Sequence, residues 1–579
     1  MTTVVNRADA SEAAAQERIA RLEHQLGDLD DPGNPLGAEQ VLAADAAGRP
    51  LAPAERVLDE FALNAEFVPG RLGGRLERLD VLARVVRAVF RRDASLGLGY
   101  GVSSYLAGVI VWADGTAAQQ RAVADLLLSG GRIACAYPEP PAGNDFLRNR
   151  FSTVMQGAGY RLNGRKEALN NAARAQQLLI FADGPDTGRG EHSAFLIDGP
   201  QPECATAALL GRYETTGIRG SLVHGLQFTQ HPVTPQQLIG PAGAAAGLAR
   251  RAFPITRAIG PSMALGCADT ALRTTVAFAR SRRLRSRASL HSHRTRTALA
   301  DAFADLLLCD ALALVATRAV HVLPRQSNTF SAAVKYLLPT VSTEAAYDLS
   351  IVLGSESYAT SGSYGIFQKA VRDLPMIGLG SAGGAASRGV LIDHLLQVPD
   401  LAAPGGGQAP AGLFTPFGDG LPAVRHDDLL LAPDGDSLLG SLPSSMAHAA
   451  AAQGEFGAHL GQLAAGLGQE LSALRAACTA LGARSGDHTV SPRAYALADR
   501  YALIAAGAAC LGIWRHQAGT GGFLGEPLWA VMALARILRR LDNTAQFAPE
   551  AAVDRFVQEL LARFEDARSY DLYATSIGR

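Results

Sequence analysis

"FSTVMQGAGYRLNGRKEALNNAA", residues 151–173, breaks the character of the chain around it. Apolar and polar residues alternate in short runs, and Gly and Asn interrupt them. This is the pattern of strands joined by turns. Neighbouring segments read alike: "RIACAYPEP", "QQLLIFAD", "HSAFLID" and "LVHGLQFTQHPV". Together they predict a β-domain over 132–245. On both sides the period is helical. Upstream, "LERLDVLARVVRAVF" carries apolar residues at helical spacing, and "TAAQQRAVADLLLSGG" offers Thr116 as an N-cap and Gly130-Gly131 as a stop. Downstream, "PSMALGCADTALRTTVAFARSRRL" and "TRTALADAFADLLLCDALALVATRAVHVL" are long and rich in Ala and Leu, and a third helix is predicted over 328–353.

The fold class that follows is mainly α with a central β-domain. The expected order is an N-terminal extension (1–50) with an amphipathic helix over 10–28, a helical domain (51–131), the β-domain (132–245) and a helical bundle (246–398). A Pro/Gly-rich linker (399–438) and a C-terminal helical domain (439–579) complete it. The totals agree. In 579 residues, 48% are apolar and 18% charged, which suits large helical cores. A formal net charge of −1 gives no basis for a nucleic-acid partner. Six cysteines without CxxC spacing give no zinc site and no disulfide framework. The N-terminal stretch has no apolar signal-peptide core, and we read no run of about 18 apolar residues. The expectation is a cytoplasmic protein that does not span a membrane.

Five segments in order then resemble the acyl-CoA dehydrogenase superfamily over about 52–395. "YPEPPAGNDF" (137–146) is similar to that family's TEPGAGSD segment. "GYRLNGRKEALNNAA" resembles its G-Y-x-L-N-G hairpin. "TGIRGSLVHGLQFTQHPVTPQQLIG", "TALRTTVAFARSRRLRSRASL" and "VLGSESY" through "VRDLPM" stand where its other motifs stand. The tail after the linker resembles, in position only, the extra helical domain of acyl-CoA oxidases. The resemblance implies a helical domain, a small β-domain and a four-helix bundle, with bound FAD and an acyl thioester on CoA or a carrier protein. It also implies a homo-oligomer, dimer or tetramer, with FAD at subunit interfaces. The implied reaction removes the α-proton with a Glu while the β-hydride passes to the flavin.

An α-proton beside a thioester is weakly acidic, so a positioned base is needed. The family takes its Glu from one of two positions. One is a turn after the Arg-Asp pair; here the turn reads Gly378-Leu379-Gly380-Ser381. The other precedes an Arg at the start of the first bundle helix, where Thr256 precedes Arg257. Neither is acidic. Replacement candidates are His293, which titrates near neutrality, and Asp145 and Glu167, which flank the flavin motifs. Glu139, Glu356 and Asp373 are weaker ones, and Asp373 reads better as the salt-bridge partner of its neighbour.

The implied cofactor contacts are Arg282 for the pyrophosphate, Asn144, Asn170 and Asn171 near the ring, Ser286, and Gly354. Several positions depart from the family pattern: Pro138, Ala168, Arg285 and Ile351 replace its usual residues. Two readings stay open. One is a divergent flavoprotein oxidising or desaturating an acyl thioester, in specialised metabolism. The other is the same fold without flavin redox chemistry, binding or converting a thioester in another way. A third has a partner subunit supplying the missing base.

Overall fold

The computed structural model describes residues 11–136, 150–184, 191–201, 204–284, 287–379, 383–396, 408–425, 429, 435–482, 491–542 and 548–578. Upstream of the sheet lie α1 (Glu12–Leu26), α2 (Ala38–Ala46), α3 (Ala52–Glu60), α4 (Leu79–Arg92), α5 (Ala94–Gly97), α6 (Ser103–Asp114) and α7 (Ala117–Leu128). Thr116 caps α7 as its sequence predicts. Its hydroxyl accepts from the Gln119 N–H, and the Gln119 side chain accepts from the Thr116 N–H.

The strands are β1 (Ile133–Ala136), β2 (Ser152–Gln156), β3 (Gly159–Asn170), β4 (Gln177–Asp183), β5 (His192–Asp198), β6 (Ala207–Arg212), β7 (Val223–Val233) and β8 (Leu238–Ile239). They form one mixed sheet in the order β6-β7-β3-β2-β4-β5-β8, with β1 parallel to β4. The stretch quoted first supplies β2 and the whole of β3, paired antiparallel with Met155 opposite Tyr160. β3 then runs along β7, with irregular register between Lys166 and Leu169. Ala168 sits in that bulge at φ 55°, a left-handed conformation uncommon outside glycine.

The bundle follows as α8 (Ala245–Ser281), α9 (His293–Val322), α10 (Ser327–Leu353), α11 (Gly365–Asp373), α12 (Met376–Leu379) and α13 (Gly384–Leu395). Among the described residues six more helices lie C-terminal to it: α14 (Ser437–Gly440), α15 (Leu442–Ala450), α16 (Gly457–Gly482), α17 (Pro492–Gln517), α18 (Pro527–Leu541) and α19 (Glu550–Glu565). Their apolar faces join those of the bundle in one continuous core. Phe303 of α9 stacks on Phe556 of α19 at 4.5 Å, for example. Two segments, Ala94–Asp114 and Pro492–Gln517, are long and apolar enough to cross a membrane, which corrects the expectation that none is. In each case over four fifths of the apolar window is buried inside the protein (89% and 83%), and both serve as core helices.

The helix at the centre of the assembly is α4, buried on every side. Its apolar residues enter the core, and its arginines are buried too, each with acceptors from distant segments. Arg78 and Arg84 both reach Glu12 of α1, at 2.9 and 2.6 Å. Arg87 joins Asp310 of α9 at 2.6 Å and Asp571 of the C-terminal segment at 3.0 Å. Arg91 pairs with Glu23 of α1 and, at 3.3 Å, with Asp269 of α8. Arg92 donates to the carbonyls of Leu26, Gly27 and Leu36. At Gly266, α8 crosses α4 so closely that a Cβ would lie 2.4 Å from the Arg87 carbonyl. The C-terminal segment docks onto the same acids: the Tyr570 and Leu572 N–H groups donate to Asp269 and Asp310.

Burial alone raises the Asp571 pKa, but Arg87, Arg91 and the Ser569 hydroxyl outweigh it and hold the group at about 2. Replacing Asp571 with Asn leaves two buried guanidinium groups short of a partner. We expect a loss of about 3–5 kcal/mol in urea unfolding. A second test is His321, which accepts from the Leu79 N–H through Nε2 and donates from Nδ1 to the Pro422 carbonyl. Burial pulls its pKa from 6.5 to about 4. A depressed imidazole pKa means the unfolded chain binds the extra proton first. Stability therefore falls as pH drops from 6.5 towards 4, and His321→Gln removes that component of the acid loss when unfolding is followed across the window.

Candidate functional site

The Arg-Asp pair before the α12 turn is a clamp. Asp373 is buried, accepts from Lys369 at 2.8 Å and takes the Ile218 N–H at 2.7 Å. Lys369 also pairs with Asp93, and Arg372 reaches Asp45 at 2.6 Å. With every charge answered, Asp373 joins α11, the end of α4, α2 and the loop before β7, and it is not placed to move a proton.

A second polar group forms at the end of β3. Asn170 donates to the Leu98 carbonyl at 2.7 Å, while its Oδ1 is buried without a hydrogen-bond partner. Asn171, fully buried at φ 65°, donates to Ser103 Oγ at 3.1 Å and accepts from Arg174 Nε at 2.8 Å. Both ends of its amide are taken within the chain. Within the chain Asn171 holds the turn, while Asn170 keeps one buried oxygen without a partner. Arg174 pairs with Glu55 at 2.8 Å and locks α3 to this corner.

A third group lies in the seam between α8 and α10. Thr256 and Arg257 project from α8, and Asn328 and Lys335 from α10; all four are buried. Arg257 lies 4.8 Å from the Phe253 ring, and its Nη1 donates to Asn328 Oδ1 at 3.4 Å. Its Nε is buried without a partner. Burial lowers the guanidinium to about 10. Burial, and then the charge of Arg257, lower the Lys335 ammonium to about 7. The α12 turn rests on the same helix one turn further on, where a Cβ at Gly378 would stand 3.5 Å from Pro339. The two positions to which the family resemblance assigns a Glu thus converge on the Arg257–Lys335 seam. One ends in Thr256, whose hydroxyl turns back to the Phe253 carbonyl; the other is Leu379, the last residue of α12.

The remaining candidates are dispersed. His293 is exposed at the first turn of α9. Glu167 is half-buried beside Tyr213, whose phenol it holds above its ordinary pKa together with burial. Arg282 is exposed at the C-cap of α8, 5.9 Å from the Phe278 ring, and Gly354 ends α10 at φ 62°. Part of the basic cluster around Arg282 is neutralised by α19: Arg280 pairs with Glu565, and Arg296 with Asp554. Arg219 donates to the Thr216 carbonyl, a local role. Glu139, Asn144, Asp145, Ser286, Gly380 and Ser381 lie outside the described residues. The sequence reading missed Lys335 and Asn328. A signal existed, because Lys335 is the single charged residue between Ser327 and Thr343.

Comparison with known proteins agrees with this architecture. The family model for the acyl-CoA dehydrogenase C-terminal domain matches residues 246–383. The human mitochondrial short-chain specific acyl-CoA dehydrogenase is 31% identical over 250 residues, covering 42% of this chain and 59% of that enzyme. The chain thus spans little more than half the length of that curated relative. Among solved structures, an acyl-CoA dehydrogenase complexed with FAD from Bacillus anthracis superposes with a TM-score of 0.71 at 14% identity, covering 98% of this chain and 96% of that one. A prolyl acyl carrier protein oxidase reaches 0.56 at 17% identity over 66% of this chain and 97% of that one. At such identities the superpositions speak for the fold, helical domain, sheet and bundle with C-terminal helices, and the sequence matches speak for descent. Residues 246–383 thus match the acyl-CoA dehydrogenase C-terminal domain, and the chain has the acyl-CoA dehydrogenase fold.

Proposed function

We propose that the protein is a flavin-dependent oxidoreductase of an acyl thioester, carried on CoA or on a carrier protein, in which neither usual position supplies the base. The observation that carries this reading is the convergence of Thr256, Arg257 and the α12 turn on α10. The place where the thioester would react is kept and its electrostatics are changed. The residues present fit FAD in two respects. The buried, unpartnered Asn170 Oδ1 is an acceptor suited to a ring N–H, and Arg282 presents an exposed guanidinium suited to a pyrophosphate. When bound, FAD supplies a two-electron acceptor. The chain's own part is to orient the thioester and exclude water, which the buried seam favours. Exposed Tyr347, Ile351 and Tyr358 at the end of α10 support a homo-oligomeric form, since they leave apolar surface beside Gly354 uncovered in the single chain. A cytoplasmic location remains part of the proposal.

The second reading, a thioester protein without flavin redox activity, is favoured by the same two positions, because Thr256 and Leu379 cannot take the α-proton at neutral pH. Anaerobic mixing of FAD-loaded protein with butyryl-CoA and with an acyl-carrier protein separates the two. The flavoenzyme reading expects loss of the oxidised-flavin absorbance with at least one thioester. Bound flavin that no thioester bleaches, with no exchange of the α-hydrogen in deuterated water, favours the second reading. In the FAD titration itself, Asn170→Ala is expected to weaken binding about fivefold, the worth of one modest hydrogen bond.

A further inference from the structure

Apart from the Asn170 corner and the α8–α10 seam, the N-terminal helical domain holds a cavity of about 370 Å³, a volume in the range of small-molecule sites. It lies between the end of α3, the short turn after it and the last turn of α7, and Tyr100 and Arg132 complete its wall. Tyr100 is buried and touches two opposite charges. Its hydroxyl donates to Asp59 Oδ1 at 2.6 Å, and the Arg132 guanidinium lies 5.0 Å from its ring centroid. Burial, and then Asp59, hold the phenol well above its ordinary pKa, so the hydroxyl stays a donor. Neither charge is closely paired. Among the described residues Arg132 has one carboxylate, Glu55 at 3.8 Å, and Arg174 holds that carboxylate closer, at 2.8 Å. The Arg132 Nε is buried without an acceptor. Asp59 is exposed on the rim, and its carboxylate takes one hydrogen bond among the described residues, from the neutral phenol. Between the charges the wall is apolar: Ala62, Ala65, Leu127 and Leu128. The α7 helix ends here too, and a helix C-terminus carries partial negative charge that favours a cation. Asn64 fixes that end by donating to the Leu127 and Gly131 carbonyls at 3.2 and 2.9 Å.

We infer that this cavity is a binding site for a free aliphatic α-amino acid. Arg132 receives the carboxylate, which a guanidinium matches with paired, charge-assisted hydrogen bonds. Asp59 and the end of α7 receive the ammonium, and the side chain lies on the alanines and leucines of the wall. A simple anion would answer Arg132 and set a like charge beside Asp59. A simple amine would answer Asp59 and set a like charge beside Arg132. A ligand that carries both charges meets both groups, and the discrimination against either half comes from the charge it leaves unanswered. A phosphate ester brings more negative charge than one guanidinium answers in a site that also holds a carboxylate. None of the residues used here serves the flavin or the thioester in the reading above, so the two stand or fall separately.

The test is isothermal titration of the full-length protein with glycine and L-alanine, L-valine, L-leucine and L-isoleucine, with thermal unfolding in parallel. At least one of these is expected to bind saturably and to raise the Tm. The tightest binder is then compared with its deaminated acid and its decarboxylated amine; for leucine these are isocaproate and isopentylamine. Each half-ligand is expected to bind at least about tenfold more weakly than the amino acid. Arg132→Gln is expected to weaken the amino acid at least about tenfold. Leu128→Trp is the second variant: its side chain is 40% exposed, so the larger ring fills the cavity from the surface and is expected to abolish binding in a protein that still folds. No binding by any of the five amino acids overturns the site. A half-ligand that binds as tightly as the amino acid, or an affinity that survives in both variants, overturns it as well.

Discussion

Everything in this fold is arranged around the arginines of α4 and Arg78, which caps it. Arg78, Arg84, Arg87 and Arg91 cannot be buried unless carboxylates from α1, α8, α9 and the C-terminal segment arrive with them. That requirement fixes the order of packing. The N-terminal extension lies on α4 because Glu12 and Glu23 are needed there. The last residues return across the whole molecule because Asp571 is needed at Arg87, 484 positions away in sequence. The apolar core supplies most of the stabilisation, as it does in any chain of this size. The charges supply the registry, since a one-turn slip of α4 would strand several of them at once.

The α8–α10 seam is the counterpart. It holds an arginine at similar depth, but Arg257 lacks the carboxylates that Arg84, Arg87 and Arg91 of α4 possess. The Arg-Asp pair at 372–373 has its charges answered, as those of α4 are. The turn after it leans on Pro339 of α10.

Much of the architecture could be read from sequence because it rests on local signals. Alternation over 151–173 gives β2 and β3, and the Thr116 capping box gives the start of α7 within a residue. What could not be read depends on partners far away in the chain. Nothing local distinguishes Glu12 or Glu23 from the exposed acids of an amphipathic helix; only Arg78, Arg84 and Arg91 make them buried. Asn170 and Asn171 are adjacent and chemically identical. Their different fates follow from Ser103 and Arg174, which claim both ends of one amide and leave an oxygen of the other. The apolar stretches 94–114 and 492–517 resemble membrane spans because composition does not record what packs around a helix. Lys335 was the legible exception, the one charge in the first half of α10, and its depressed pKa needed burial and Arg257 of a different helix.

The central proposal is that this chain binds FAD although neither Thr256 nor Leu379 can serve as the base. The most direct measurement is the visible absorbance of the purified protein after gel filtration, with a titration of added FAD. The account predicts an oxidised-flavin spectrum that travels with the protein, or saturable binding when FAD is supplied. A colourless protein that takes up no FAD on titration would contradict it and leave a fold used for thioester chemistry of another kind.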